Sequence, residues 1–185
     1  MEKVKKSGKS KKIRLFRFKN EDLNGWLESL TILIFIIGIL YIFFWPARIS
    51  GGSMTPNLNY NDMVTVSRAA VFFNNFNHGD LILARIEILG HNENIIKRLI
   101  AMPGDIVQIT EQGIAVNGDY LQLSDFNPAN QHINREFILK DNEYFIMGDN
   151  QQTSIDSRHF GIIYRNQIIA RAVLRFFPLN RIQIY

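Results

Sequence analysis

Hydrophobic and polar positions divide the chain into two patterns. From Leu30 to Ala47 the run LTILIFIIGILYIFFWPA carries no charge and shows no polar face. Eighteen helical residues would span about 27 Å, close to the ~30 Å hydrocarbon core of a bilayer. Trp26 precedes the run, and Tyr41 and Trp45 lie near its end; amphipathic aromatics favour the two membrane interfaces. Pro46 is a natural helix stop. The pattern predicts one transmembrane helix, with an anchor segment over residues 26–47. The sequence Trp45-Pro46-Ala47-Arg48-Ile49 offers no small-x-small cleavage site, so the anchor is expected to stay uncleaved.

Beyond residue 48 the pattern changes to short alternating runs. Asp62–Val66, Leu81–Ile86, Asn94–Ala101 and Ile106–Thr110 read as strands, and so do Ile114–Val116, Tyr144–Met147 and Gln167–Phe177. Turn residues separate them, among them Asn117-Gly118, a favoured tight-turn pair. Frequent turns between short strands argue for antiparallel twisted sheets or a small barrel-like domain. The expected fold class is therefore mainly β over residues 48–185, with a short insert at about 106–147. Residues 71–79 and 124–134 are the least regular and read as loops. No internal repeat is visible.

Charge is distributed as unevenly as hydropathy. Residues 1–25 hold nine Lys/Arg against Glu2, Glu21 and Asp22, a net +6, whereas the remaining 160 residues sum to −2. The basicity belongs to a tail, which reads as the cytoplasmic flank of the anchor and not as a nucleic-acid-binding arm. Only Arg48 is basic in the twenty residues after Pro46. The positive-inside rule then places the N-terminus in the cytoplasm and residues 48–185 on the extracytoplasmic face of the plasma membrane. The chain has no cysteine, which excludes disulfides and thiolate metal sites. His78, His91, His132 and His159 are scattered without ligand-like spacing, so no metal or cofactor is expected.

Three elements could carry chemistry. Lys97 and Arg98 lie in the strand Asn94–Ala101 with apolar residues on both faces, so one of the two cations enters the interior. Lysine, unlike arginine, can lose its proton there. To be largely neutral near pH 7 it must drop about three pKa units, roughly 4 kcal/mol of desolvation or repulsion. Taken alone, Lys97 also fits a snorkelling strand lysine. Ser53, in ISGGSMTPNL, fits a turn serine; as a nucleophile it needs a base, and a lysine is an accepted one. In GDNQQTSIDSRHFG, residues 148–161, Asp156 and Arg158 could form a structural ion pair or a clamp on neighbouring loops.

The combination is more specific than its parts. Ser53-Met54-x-Pro56 follows an apolar span. Lys97-Arg98 then precedes Pro103-Gly104-Asp105, and Gly148-Asp149-Asn150 precedes Ser154-x-Asp156-Ser157-Arg158-x-x-Gly161. In this order the motifs resemble bacterial type I signal peptidases, and the resemblance covers roughly residues 26–180. It implies that Ser53 is the acyl-forming nucleophile and Lys97 the general base. Ser154 would orient the lysine, and Asp149, Asp156 and Arg158 would support the site. It also implies a substrate class of exported preproteins cut after small residues, contact with membrane lipid, proximity to the secretion translocon, and no nucleic-acid partner. Some relatives carry a serine two positions before the nucleophile that assists the oxyanion hole. Here that position is Gly51, with Ser50 one further back, so the Ser53 N–H needs a partner donor from Gly51, Ser50 or elsewhere. Gln151 stands where arginine is usual after Gly-Asp-Asn. The 42 residues between Asp105 and Gly148 leave no room for a large accessory β-domain.

Overall fold

The computed structural model describes residues 20–88, 90–123 and 134–185. The basic tail up to residue 19 and all but the last residue of the expected loop 124–134 lie outside them. The chain divides into two units, residues 1–39 and residues 40–185.

Helix α1 runs Asn20–Phe43. Its residues from Gly25 to Tyr41 are exposed, including Ile34, Phe35 and Ile37, and Phe43 at its end is half-buried. Among the described residues no helix is long and apolar enough to cross a membrane. The helix ends at Phe43, three residues before Pro46. The expected anchor end at residue 47 therefore needs correction, because Phe44–Arg48 forms strand β1. β1 pairs antiparallel with β2 (Met63–Ser67), register Trp45↔Val66 and Ala47↔Val64. The physical reason is local. Trp45 and Ala47 pack against the core around Val64 and Val66. Pro46, which has no N–H to donate, sits on the outermost strand of the sheet, where a missing donor costs little.

The main sheet contains β3 (Leu81–Ile88), β4 (His91–Ala101), β9 (Glu143–Met147), β10 (Ile163–Tyr164) and β11 (Ile168–Phe177) besides β1 and β2. Its order is β1-β2-β11-β3-β4-β9-β10, and β12 (Gln183–Ile184) pairs with β11. A second sheet of four strands has the order β7-β6-β5-β8. Its strands are β5 (Ile106–Thr110), β6 (Gly113–Val116), β7 (Asp119–Tyr120) and β8 (Arg135–Ile138). The pairings described are antiparallel, as the alternation predicted. Within the expected loop 71–79, the short helix α2 (Ala69–Phe72) reaches into the first residues.

Three apolar clusters fill the β unit. One lies under β1, β2 and β11, and includes Met54, Leu58, Val64 and Ala170. The second joins β3, β4 and β9 through Ile82, Leu99 and Ile146. The third lies between β9 and the smaller sheet, through Phe145, Met147 and Ile109. β9 is thus packed on both faces, which fixes the segment that follows it.

Candidate active site

β4 delivers Lys97 and Arg98 to opposite sides. Lys97 pairs in register with Ile82 and is only 3% exposed. Its Nζ donates a 2.8 Å hydrogen bond to Ser154 Oγ. Burial lowers the ammonium from 10.5 to about 8; Asp156 and Asp149 oppose this, and Arg158 reinforces it. Arg98 turns the other way and clasps Asp149 with two hydrogen bonds of 2.7 Å. Of the two cations the pattern left undecided, lysine is the buried one.

The segment after β9 builds a polar cluster beneath Lys97. Ser154 Oγ donates onward to Asp156 Oδ2 at 2.6 Å. The same carboxylate accepts from Gly148 N–H and from both Nε and Nη2 of Arg158. Asp156 and Arg158 are buried almost completely. Burial by itself would raise the Asp156 carboxyl. The Arg158 hydrogen bonds and charge, with Ser154 and Gly148, outweigh it and hold the group below its ordinary value. Asp156 also caps the short helix α3 (Ser157–Phe160), accepting from Arg158 N–H. A buried pair joined bidentately at 2.8 Å is held rigidly, because removing either partner leaves an uncompensated charge.

Ser53 lies in the loop joining β1 to β2. Ile49 N–H donates to Asp62 O and Asn61 N–H to Ile49 O, closing the loop at its base. Buried Met54 and Leu58 pin its floor to the core. Asn150 N–H donates to the Ser53 carbonyl at 3.0 Å, which joins the loop to the segment that holds Lys97. Gly148 makes the approach possible: a Cβ there would fall under 3 Å from both Ser154 Oγ and the Ser53 carbonyl oxygen. The glycine is therefore needed for close approach. Among the described residues Ser53 Oγ makes no hydrogen bond. Ser53, Lys97 and Ser154 thus converge around Gly148, and Asp156 and Arg158 lie behind them.

A cleft of about 490 Å³ opens at Ser53 and is walled by Ser50 and Gly51 on one side and Glu93 to Ile96 on the other. Gly51 has open space where a side chain would stand. β9 meets β4 only at Arg98, Leu99 and Ala101, so residues 91–96 of β4 lack a strand neighbour on that side among the described residues. None of the described histidines hydrogen-bonds Ser53 or Lys97. His78 bonds Asp105, and His159 touches Asp156 but not the serine or lysine. No cluster of metal-ligating side chains occurs among the described residues.

Pattern reading did not assign roles to Arg98, Gly148 or Asn57. Gly148 had the one available signal, a glycine fixed inside a polar motif. Arg98 had only its place beside Lys97.

The chain belongs to the family described as signal peptidase, peptidase S26, which matches residues 23–177. Membership makes it a serine endopeptidase that removes signal peptides from preproteins. It is 29% identical over 178 residues to "Signal peptidase I P" of Bacillus subtilis subsp. natto, covering 89% of this chain and 95% of the relative. It is 36% identical over 137 residues to "Signal peptidase I" of Leptolyngbya laminosa, covering 70% of this chain and 67% of the relative. A crystal structure of a signal peptidase I from Enterococcus faecalis V583 aligns at a TM-score of 0.39 and 23% identity. That alignment covers 52% of this chain and 95% of the other.

Proposed function

We propose that Ser53 and Lys97 form the catalytic dyad of this signal peptidase. The neutral Lys97 amine takes the Ser53 hydroxyl proton as Oγ attacks the scissile carbonyl. The protonated lysine then gives that proton to the leaving amine. An ester to Ser53 remains, and Lys97 next activates the water that releases the signal peptide. The observation that carries this reading is the buried lysine on Ser154 Oγ, with its pKa lowered to about 8 mainly by burial. Ser154 accepts from Lys97 because its own proton is directed to Asp156. The lysine lone pair is thereby aimed and kept free for Ser53. Asp156 and Arg158 brace Ser154, and Asp149 braces Arg98.

The Ser53 N–H supplies one oxyanion donor in this reading, and Ser50 or Gly51, in the same cleft wall, supplies the other. An extended substrate adds alongside residues 93–96 of β4, whose open edge supports this docking mode. Small residues at −1 and −3 then face the shallow side of the cleft. In this reading α1 serves as the membrane anchor: from Leu30 to Phe43 it carries no charge, and its exposed apolar side chains favour an apolar solvent. Nine basic residues before it favour a cytoplasmic N-terminus and an extracytoplasmic β domain. Membrane lipid and a neighbouring translocon are the partners this arrangement implies.

Cleavage of a signal-peptide substrate, with the cut site mapped, tests the dyad. Ser53→Ala and Lys97→Met are each expected to reduce turnover by at least ~10³-fold while the domain stays folded. Retained turnover in Lys97→Met would remove lysine as the base.

A further inference from the structure

Two hydrogen bonds tie the Ser53 loop to the segment that holds Lys97. One is the backbone bond from Asn150 N–H to the Ser53 carbonyl. The other is a side-chain bond, 2.7 Å from Asn57 Nδ2 to Asp149 Oδ2. Asp149 in turn is clasped by Arg98, the residue next to Lys97. The Asn57 carbonyl is held from the opposite side by Arg175 Nη1 and Arg181 Nη2, and Arg181 also donates to the Pro56 carbonyl at 3.0 Å. Both arginines approach Asp62 Oδ2 at 3.5 Å, the residue that closes the loop. The Asn57 peptide is thus fixed at its carbonyl by the β11 end of the sheet and at its side chain by the Asp149–Arg98 pair.

We propose that Asn57 is a positioning residue that sets the separation of Ser53 from Lys97 through Asp149. This rests on the dyad reading above. The serine sits on a loop and the lysine on a strand, so without a tie their separation follows loop motion. A misplacement on the order of 1 Å costs far more in rate than in binding. A donor to an ionised carboxylate is a strong tie, and unlike the Asn150 bond it depends on a side chain.

Kinetics of the full-length, membrane-bound protein on a synthetic peptide spanning a signal-peptide cleavage site test this. Asn57→Ala is expected to lower kcat about tenfold and change KM by less than about twofold. Its unfolding midpoint should move by no more than about 2 °C. Asn57→Gln, which keeps a donor within reach of Asp149, is expected to recover more than half of the lost rate. In an Asp149→Asn background, Asn57→Ala should add less than about twofold. The bridge is overturned if Asn57→Ala turns over like wild type, if its loss lies in KM, if kcat falls only in step with stability, or if the two losses multiply. Should Asp149→Asn fail to fold, the alanine and glutamine variants decide alone, and glutamine as slow as alanine overturns the bridge. Ser53→Ala assayed in parallel separates the two ideas, since cleavage without Ser53 overturns the dyad, whereas Ser53-dependent cleavage indifferent to Asn57 overturns the bridge alone.

Discussion

In the proposed dyad, Lys97 would couple activity and stability to pH in opposite parts of the scale. As a base it works only when neutral, and its pKa is lowered to about 8. Below that value kcat/KM is expected to fall about tenfold per pH unit, with a plateau above it. A flat profile from pH 5 to pH 9 would contradict a lysine base. The stability effect follows from the same depression. Between about 8 and 10.5 the unfolded lysine holds a proton that the folded one has released, so stability rises with pH through that window. Lys97→Met should lose this rise, read as the difference in unfolding midpoint between pH 8 and pH 10. The motif order of Ser53, Lys97 and Ser154 was legible in sequence, and so was the pairing of Asp156 with Arg158, two residues apart. The state of Lys97 was not, because desolvation depends on what packs over it. Burial lowers its pKa while Asp156 and Asp149 favour the charged form and Arg158 opposes it.

At the scale of elements, the alternating runs were a sound guide to the strands but not to their ends. Residues 44–47 are apolar enough to read as the tail of the helix, yet Trp45 and Ala47 close the first core cluster as part of β1. Hydropathy does not distinguish apolar residues that meet lipid from those that meet a sheet face. A chain beginning at Phe44 should therefore fold cooperatively, whereas one beginning at Ile49 loses the edge strand and leaves β2 paired on one side only, with β11. The expected cost is an unfolding midpoint lower by about 10 °C or more, measured by thermal denaturation. Equal midpoints would mean that β1 adds nothing to the fold. The smaller sheet was legible only as short strands and turns. Its stacking on β9 through Phe137 and Phe145 follows from packing that no local pattern encodes.

At the scale of the whole molecule, the proposed anchor role of α1 would bring enzyme and substrate into one bilayer. Tethering two partners raises their effective concentration without adding contacts. A chain lacking residues 1–43 is expected to retain its rate on a short soluble peptide. It should cleave a bilayer-inserted preprotein about 10²-fold more slowly than the full chain. Equal rates on the inserted preprotein would remove the anchor from the mechanism.

The sequence by itself determined the mainly β fold class, the basic tail before an apolar helix, and the ordered motifs that hold Ser53, Lys97 and Ser154. These follow from period, charge and short spacings, which are local properties of a chain. Tertiary structure alone decided which cation is buried, why residue 148 is glycine, where the helix yields to strand, and how Arg175 reaches the Asn57 carbonyl across 118 positions. Those outcomes depend on sheet order and register, because only folding brings such distant groups close enough to exclude water and bond.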